Sequence, residues 1–472
     1  MELLFESRTN LDVDGQLHFF QQCPEIHPEF VVKPDTFADG LGVTIYGSVL
    51  RDGGRYRMWY HAIPADWDMH RDMSSIAYAE SDDGLVWRKP VLNLVRHGPG
   101  GNNLTNLGLH SATVFIDPDA PPERRYRATG CGYKALFLAH PAIAEESRGY
   151  YTAYSADGLD WNLDSPAPRW RSADVITSVY HPGRRGALTA MKFTPRWMRM
   201  RRRSIHTAAY AGGTWSDPVA ALYADEFDDA CAATRGFHSC DYYGMGMLPA
   251  GQATVGFLWK YWHALPYTPG SQVALFGSSD IALVYQPETG ARWFHVPGRP
   301  VFIDRTRLPW PSGWINSAAG VVESGDEHRL YFSSNAMPHC FGRTEHWKTE
   351  PQWAEYRRRH GSSGISFARW PKWRLFGFEA NPEGALSVNL GPIRQPVRIA
   401  LNYAVARPEG FITAELACEG HAPRTLAEPL TGDSTGAVLH WSGGDVVPPS
   451  GEATLRLKLT CARVYAYDLQ PV

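Results

Sequence analysis

Several things are scarce or missing in this 472-residue chain, and each absence narrows its class. No run approaches the 18 consecutive apolar residues of a membrane-crossing helix. The opening MELLFESRTNLDVDG carries acids where a secretory signal needs a basic start and an apolar stretch. Cysteine is sparse, with seven residues and no CxxC pair: Cys23, Cys131, Cys231, Cys240, Cys340, Cys418 and Cys461. That scatter argues against a zinc cluster or a complete disulfide framework, and the expected location is the cytoplasm. Neither sign of charge dominates, with 46 Lys+Arg against 49 Asp+Glu for a formal net charge of −3. Neither nucleic acid nor a membrane surface is therefore an expected partner. There is no GxSxG elbow, no GxxxxGK[ST] loop and no HExxH pair, so serine-hydrolase, nucleotide and zincin chemistry lack support. Helical patterning is poor; its best stretch is EPQWAEYRRRH at Glu350–His360.

What is abundant is turn formers and aromatics. The 44 Gly and 35 Pro are spread along the chain, and 12% of residues are Phe, Trp or Tyr. They fall into a weak internal repeat. One half is a tight turn followed by Trp: SDDGLVW from Ser81, SADGLDW from Ser155, PETGARW ending at Trp293, the shorter Thr214-Trp215, and SSGISFARW ending at Trp370. Asp-Gly suits such a turn because Gly takes positive φ and Asp caps the backbone. The other half is an aromatic-rich strand ahead of each turn: RYRMWYHA from Arg55, RYRATGCG from Arg125, SIHTAAYA from Ser204, ATVGFLWKY from Ala253 and HRLYFSSN from His328. Five copies, roughly 70 residues apart, predict an all-β, five-bladed β-propeller over residues 34–377. Residues 1–33 read as an N-terminal extension. The tail, 378–472, alternates apolar and polar residues between turns and predicts a small C-terminal β-sandwich.

YAESDDGLVWRKP with Asn102-Asn103, then DYYGMGMLP, GISFARWPKWRLFGF and RLKLTCARVYAYDL, resemble bacterial proteins described as glycoside hydrolase family 32-like. More widely they resemble the five-bladed propeller glycosidases: invertases, levansucrases and arabinanases. The resemblance spans nearly the whole chain and implies a carbohydrate or glycoside substrate. It also implies a glycosidic bond cleaved by paired carboxylates in the central funnel, without cofactor or metal. One carboxyl protonates the leaving oxygen while the other acts as nucleophile or base. In that superfamily these groups come from the innermost strands of different blades.

Innermost strands are expected at IYGSVL, HSATVFID, DVITSVY, DYYGMGML and WINSAAGVV. The residues at their heads give the candidates. Asp174 and Asp241 are expected catalytic carboxylates, either serving as the acid. A Tyr occupies the blade-one position where the superfamily has Asp, so Asp39, beside Asp35, is the expected base or nucleophile. Tyr46, Asn103, His110, Tyr243, Trp314 and Asn316 are the expected substrate-binding residues, with Trp314 and Tyr243 as a stacking platform. Asp82, Asp83 and Asp157 read as turn residues, ADEFDD at Ala224–Asp229 as a solvated face before a calcium site, and the run Arg196, Arg199, Arg201, Arg202, Arg203 as a long hairpin with one Arg available to an anion. The alternatives are a non-catalytic carbohydrate-binding propeller, or a lyase or transferase using Tyr46 and His110 as a proton-transfer pair. Self-association is left open.

Overall fold

The computed structural model describes residues 1–5, 11–66, 75–132, 147–172, 174–197, 200–266, 276–339, 363–405 and 407–472. The expected helix at Glu350–His360, Cys340 and Arg199 lie outside them, and of Arg196 and Arg201 only the backbone is described.

Two copies of the repeat, SDDGLVW and SADGLDW, fold as a lock between neighbouring blades, whereas SSGISFARW is no turn but part of the strand Ser363–Pro371, with Trp370 inside it. Asp83 accepts hydrogen bonds from the Leu85 and Val86 amides at 2.7 and 2.9 Å, and Asp157 from those of Leu159 and Asp160 at 2.8 and 3.0 Å. Gly84 and Gly158 follow with φ of 74° and 79°, which only Gly adopts without strain. Trp87 and Trp161 each turn back to donate to the preceding Gly carbonyl at 3.1 Å. The adjacent blade then grips the same turn. Trp59 Nε1 donates to the Gly158 carbonyl at 2.6 Å and Tyr331 Oη to that of Gly84 at 2.7 Å. Arg57 and Arg329 donate one residue earlier, to the carbonyls of Asp157 and Asp83 at 2.6 and 2.9 Å. The aromatic-rich strand and the turn signal are thus two halves of one inter-blade contact, so the Asp residues of these turns are structural.

Sheet pairing gives five blades. Their innermost strands are Gly42–Asp52, His110–Ile116, Ile176–His181, Ser239–Ala250 and Trp314–Ser317. These five strands touch one another in a closed ring. Hydrogen bonds span each joint: Val114 N to Ser48 Oγ (2.9 Å), Ser178 N to Thr113 Oγ1 (3.0 Å), Thr177 Oγ1 to the Met245 carbonyl, Met247 N to the Ala319 carbonyl (2.7 Å), and Ala319 N to the Gly47 carbonyl (2.9 Å). The short strand Glu25–Ile26 pairs with Ser363–Pro371 on the outside of blade five, so chain start and propeller end are stitched together. In blade three SIHTAAYA is the third strand rather than the second. Gly186–Phe193 lies between it and the inner strand, joined to it through the Arg196–Trp197/Met200–Arg201 hairpin. The described α-helix is Glu226–Thr234, within ADEFDD and beyond. Asp225 caps it by accepting from the Phe227 and Asp228 amides. Those acids face cations: Arg299 holds Asp225 and Asp228, Arg202 holds Asp229, and Lys260 lies 2.7 Å from Asp228.

Beyond the propeller a nine-stranded sheet curls over its own core of Leu, Val and Ile side chains. The 18-residue strand Phe376–Ile393 makes the curl. Its start pairs with Ala462–Pro471 and its remainder with Ser450–Thr460, so one strand serves both layers. Leu11–Gln21 lies along its other edge. Where this unit meets blade four, Phe5 stacks on Tyr285 and Phe19 on Phe376, and Tyr285 meets Phe19 and Phe376 edge-on.

On the blade-one inner strand the pairing register slips between Thr44 and Ser48, a bulge that carries Tyr46 and Gly47. A Cβ on Gly47 would lie 1.9 Å from the Trp59 carbonyl oxygen. Gly47→Ala is therefore expected to destabilise by about 2–3 kcal/mol and to disturb Tyr46, read as a lower denaturation midpoint with an unchanged denaturant slope.

Candidate active site

The inner strands run side by side around one axis, so their first residues gather at one end. Tyr46, His110, Asp174, Tyr243 and Trp314 come from blades one to five in that order.

Asp174 is the hub. It sits just before the Ile176–His181 strand at a φ of 99°, a strained value for a residue with a side chain. Its amide points at the Cys131 sulfur at 3.3 Å. His110 Nε2 lies 3.3 Å from Oδ1, Tyr243 Oη donates to Oδ2 at 3.1 Å, and the Lys192 ammonium pairs with Oδ2. The Asp174 side chain keeps 22% of its surface exposed and His110 keeps 17%, so solvent reaches both. Lys192 is buried at 6%. Burial pushes the Asp174 carboxyl up, but the Lys192 charge and the His110 hydrogen bond outweigh it and hold it well below the usual carboxylate range. Burial lowers Lys192, an effect Asp174 offsets in part.

Aromatic rings close one side. Tyr243 stacks on Tyr261 with centroids 5.4 Å apart, and Trp314 meets it edge-on at 5.0 Å. His339 accepts or donates at both phenols, 3.1 Å from Tyr243 Oη and 3.3 Å from Tyr261 Oη. The expected platform of Trp314 and Tyr243 is largely buried in this stack. Tyr46, half-buried, lies 5.9 Å from His110 between ring centroids, and His61 lies 4.9 Å from it.

Asp241 occupies a second layer. Its carboxylate, 1% exposed, lies 3.2 Å from Arg203 Nη1 and 3.0 Å from His263 Nε2, and it accepts from the Arg203 amide at 3.1 Å. Burial raises its pKa, and Arg203 and His263 more than reverse that, leaving it strongly lowered. The Arg203 guanidinium lies over the faces of Tyr243 and Tyr261, 4.9 and 4.5 Å from their centroids, linking Asp241 to the Asp174 cluster.

The remaining candidates, Asp39, Asn103 and Asn316, make their hydrogen bonds elsewhere. Asp39 is fully buried. It accepts from Thr36 N (2.9 Å), Thr36 Oγ1 (2.8 Å) and Tyr60 Oη (2.9 Å), and it pairs with Lys89 at 2.6 Å. Asn103 belongs to the same network, donating to Tyr60 Oη at 2.9 Å and to the Tyr78 carbonyl at 2.8 Å. Asp35 pairs with Lys89 at the surface. Among the described residues no hydrogen bond or ion pair connects this network to Asp174. Asn316 is buried and accepts from Ser333 Oγ at 2.7 Å. Among the described residues no group of three His, Cys, Asp or Glu is arranged to hold a metal ion.

Lys192, Arg203, Tyr261, His263 and His339 complete the arrangement and were not singled out from sequence for this place. A charged residue closing the apolar run GALTAMKF was the available signal for Lys192. For Arg203 it was its position at the end of the basic run.

No family model matches the chain, and no curated protein matches it. Solved structures do. An exo-inulinase from Aspergillus awamori aligns over 94% of this chain and 98% of its own at 11% identity and a TM-score of 0.40. An N-acetylgalactosamine deacetylase from F. plautii, in complex with blood group B trisaccharide, aligns over 75% and 96% at 14% identity and a TM-score of 0.44. A β-1,2-mannobiose phosphorylase from Listeria innocua, in complex with β-1,2-mannobiose, aligns over 76% and 97% at 10% identity and a TM-score of 0.43. The five-bladed propeller implied by the family resemblance is present. The blade count rests on the strand pairings above, and these likenesses do not bear on the reaction.

Proposed function

We propose that the funnel mouth is a carbohydrate site at which a glycosidic bond is broken. Asp174 serves as the ionised carboxylate and His110 as the proton carrier held against it. The observation that carries this reading is the meeting of Asp174, His110, Lys192 and Tyr243, from blades two, three and four, at the solvent-reached heads of the inner strands. An ionised carboxylate suits a nucleophile, a water-activating base or a stabiliser of positive charge at the anomeric carbon. Asp174 and Asp241 are both held ionised, so neither supplies the proton that the leaving oxygen needs. Imidazole is the side chain best suited to passing a proton at such a site, and His110 is the one held against Asp174. Asp241 acts by anchoring Arg203 beneath Tyr243, and Asp39 is a structural carboxylate of blade one.

The same observation favours a second reading. One reachable carboxylate flanked by His110 and Tyr46 also suits elimination, in which a base removes a ring proton and the leaving oxygen is protonated without water. Incubating the protein with neutral and uronate-containing oligosaccharides separates the two. Hydrolysis yields new reducing ends without ultraviolet absorbance, whereas elimination yields an unsaturated, absorbing product. Absence of either product across the panel, with binding retained, would identify a carbohydrate-binding propeller and overturn the proposal.

Tyr243→Phe removes one donor to Asp174 and keeps the ring stack. Because that donor stabilises the charged form, the Asp174 pKa should rise. The acidic limb of the kcat/KM profile then moves to higher pH, and turnover at neutral pH falls about tenfold, as expected for one lost charge-assisted hydrogen bond. An unmoved limb would detach Tyr243 from the reacting carboxylate.

A further inference from the structure

The lock that joins blade one to blade two and blade five to blade one has no counterpart among the described residues between blades two and three. Arg127 stands in blade two where Arg57 stands in blade one, each closing an Arg-Tyr-Arg segment at the start of its blade's second strand. Blade three offers it no Ser-x-Asp-Gly turn. Its third strand runs through the short Gly212-Gly213 turn directly into Thr214-Trp215. A cavity of about 620 Å³ fills the place of the missing turn, lined among others by Arg124, Arg127, Asp164, Arg169, Tyr210 and Trp215. Arg127 pairs in the sheet with Phe115, next to the last residue of its inner strand, whereas His110 is the first. The cavity therefore opens at the far end of the blades from Asp174.

Its lining is built for an acceptor-rich, negatively charged ligand. Three guanidinium groups face one carboxylate, leaving a surplus of positive charge. Asp164 takes Arg124 and, at 2.8 Å, Arg127, and accepts from Thr152 Oγ1 at 2.6 Å. That leaves Arg127 Nε and Trp215 Nε1 buried without a hydrogen-bond acceptor among the described residues. Arg127 and Trp215 are only 6% and 7% exposed. Buried donors are rarely left unsatisfied, and the side chains that carry these two line the same cavity. The volume is that of a small-molecule site.

We infer that this groove is a second ligand site, binding a sugar that carries an oxyanion, either a uronate carboxylate or a phosphate ester. The anion lies against Arg127 and Arg169, and ring oxygens accept from Trp215 Nε1. The site does not depend on the reaction at the funnel mouth.

The test is calorimetric titration of the full chain with digalacturonate, glucose 6-phosphate, maltose and inorganic phosphate. Digalacturonate or glucose 6-phosphate is expected to bind while maltose does not, and which of the two binds decides between carboxylate and phosphate. Trp215→Phe, which keeps the ring and removes the donor, should raise Kd at least fivefold with an unchanged melting midpoint. Thr214→Trp, at an exposed position on the rim, should abolish binding by filling the groove, and Asp174→Asn should leave it unaltered. Binding of neither anionic sugar would overturn the inference. So would binding that survives both groove variants, or inorganic phosphate binding as tightly as the sugar phosphate. A loss of binding in Asp174→Asn alone would place the ligand at the funnel and likewise overturn it.

Discussion

Asp174→Asn is expected to lower kcat on a cleaved glycoside about a thousandfold, within the range that a positioned acid–base group contributes, while the protein remains folded. Asparagine is close to isosteric and is among the side chains that best tolerate positive φ, so the strained backbone at 99° is retained. The amide keeps one oxygen for Tyr243 and Lys192 but carries no charge. Lys192, buried and already lowered by that burial, then loses its counter-ion and sheds its proton more readily, which limits the cost of the change to the fold. His110 loses the carboxylate that orients it. Substrate affinity should change much less than kcat, because the charge matters most as the bond breaks. A loss confined to KM would show that Asp174 only binds the sugar.

The second large effect concerns stability. Asp241→Ala should destabilise by about 3–5 kcal/mol, because it removes the carboxylate that faces the buried Arg203 guanidinium. Folding holds the Asp241 carboxyl below its unfolded value of about 3.9. Its contribution is therefore complete at neutral pH and is lost only as the pH falls below that value towards the lower folded one. Denaturant titrations from pH 7 down to pH 3 should show wild-type stability falling faster than that of Asp241→Asn over the acid end of the range. Parallel curves would mean that Arg203 does not hold Asp241 ionised.

The blade architecture was legible because its signals are local. Asp-Gly fixes a turn within four residues, and the Trp that follows packs at a constant offset. SIHTAAYA misled by one strand, since the second strand of blade three is Gly186–Phe193, whose GALTAMKF lacks the aromatic run that marks the second strand elsewhere. The helix at Glu226–Thr234 was hidden because its capping acids, Asp225 and Asp228, read equally well as a solvated cluster. That Asp174, His110, Tyr243 and Tyr46 would meet was legible because inner-strand heads must converge. That Lys192 and Arg203 would join them was not, since each comes from the far end of a neighbouring strand or hairpin, and which charges meet there depends on register. Asp39 illustrates the converse. Its position just before a strand was right for a funnel acid, but Tyr60 and Lys89, far along the chain, hold it within blade one.

The central claim is that sugar binds at the heads of the five inner strands. A crystal of the protein soaked with the monosaccharide released from its best substrate tests it directly. The expected result is a sugar ring at the propeller mouth, with at least one oxygen within hydrogen-bond distance of Asp174 or His110. A ring found only in the groove between blades two and three, with the Asp174 cluster unchanged and untouched, would contradict it.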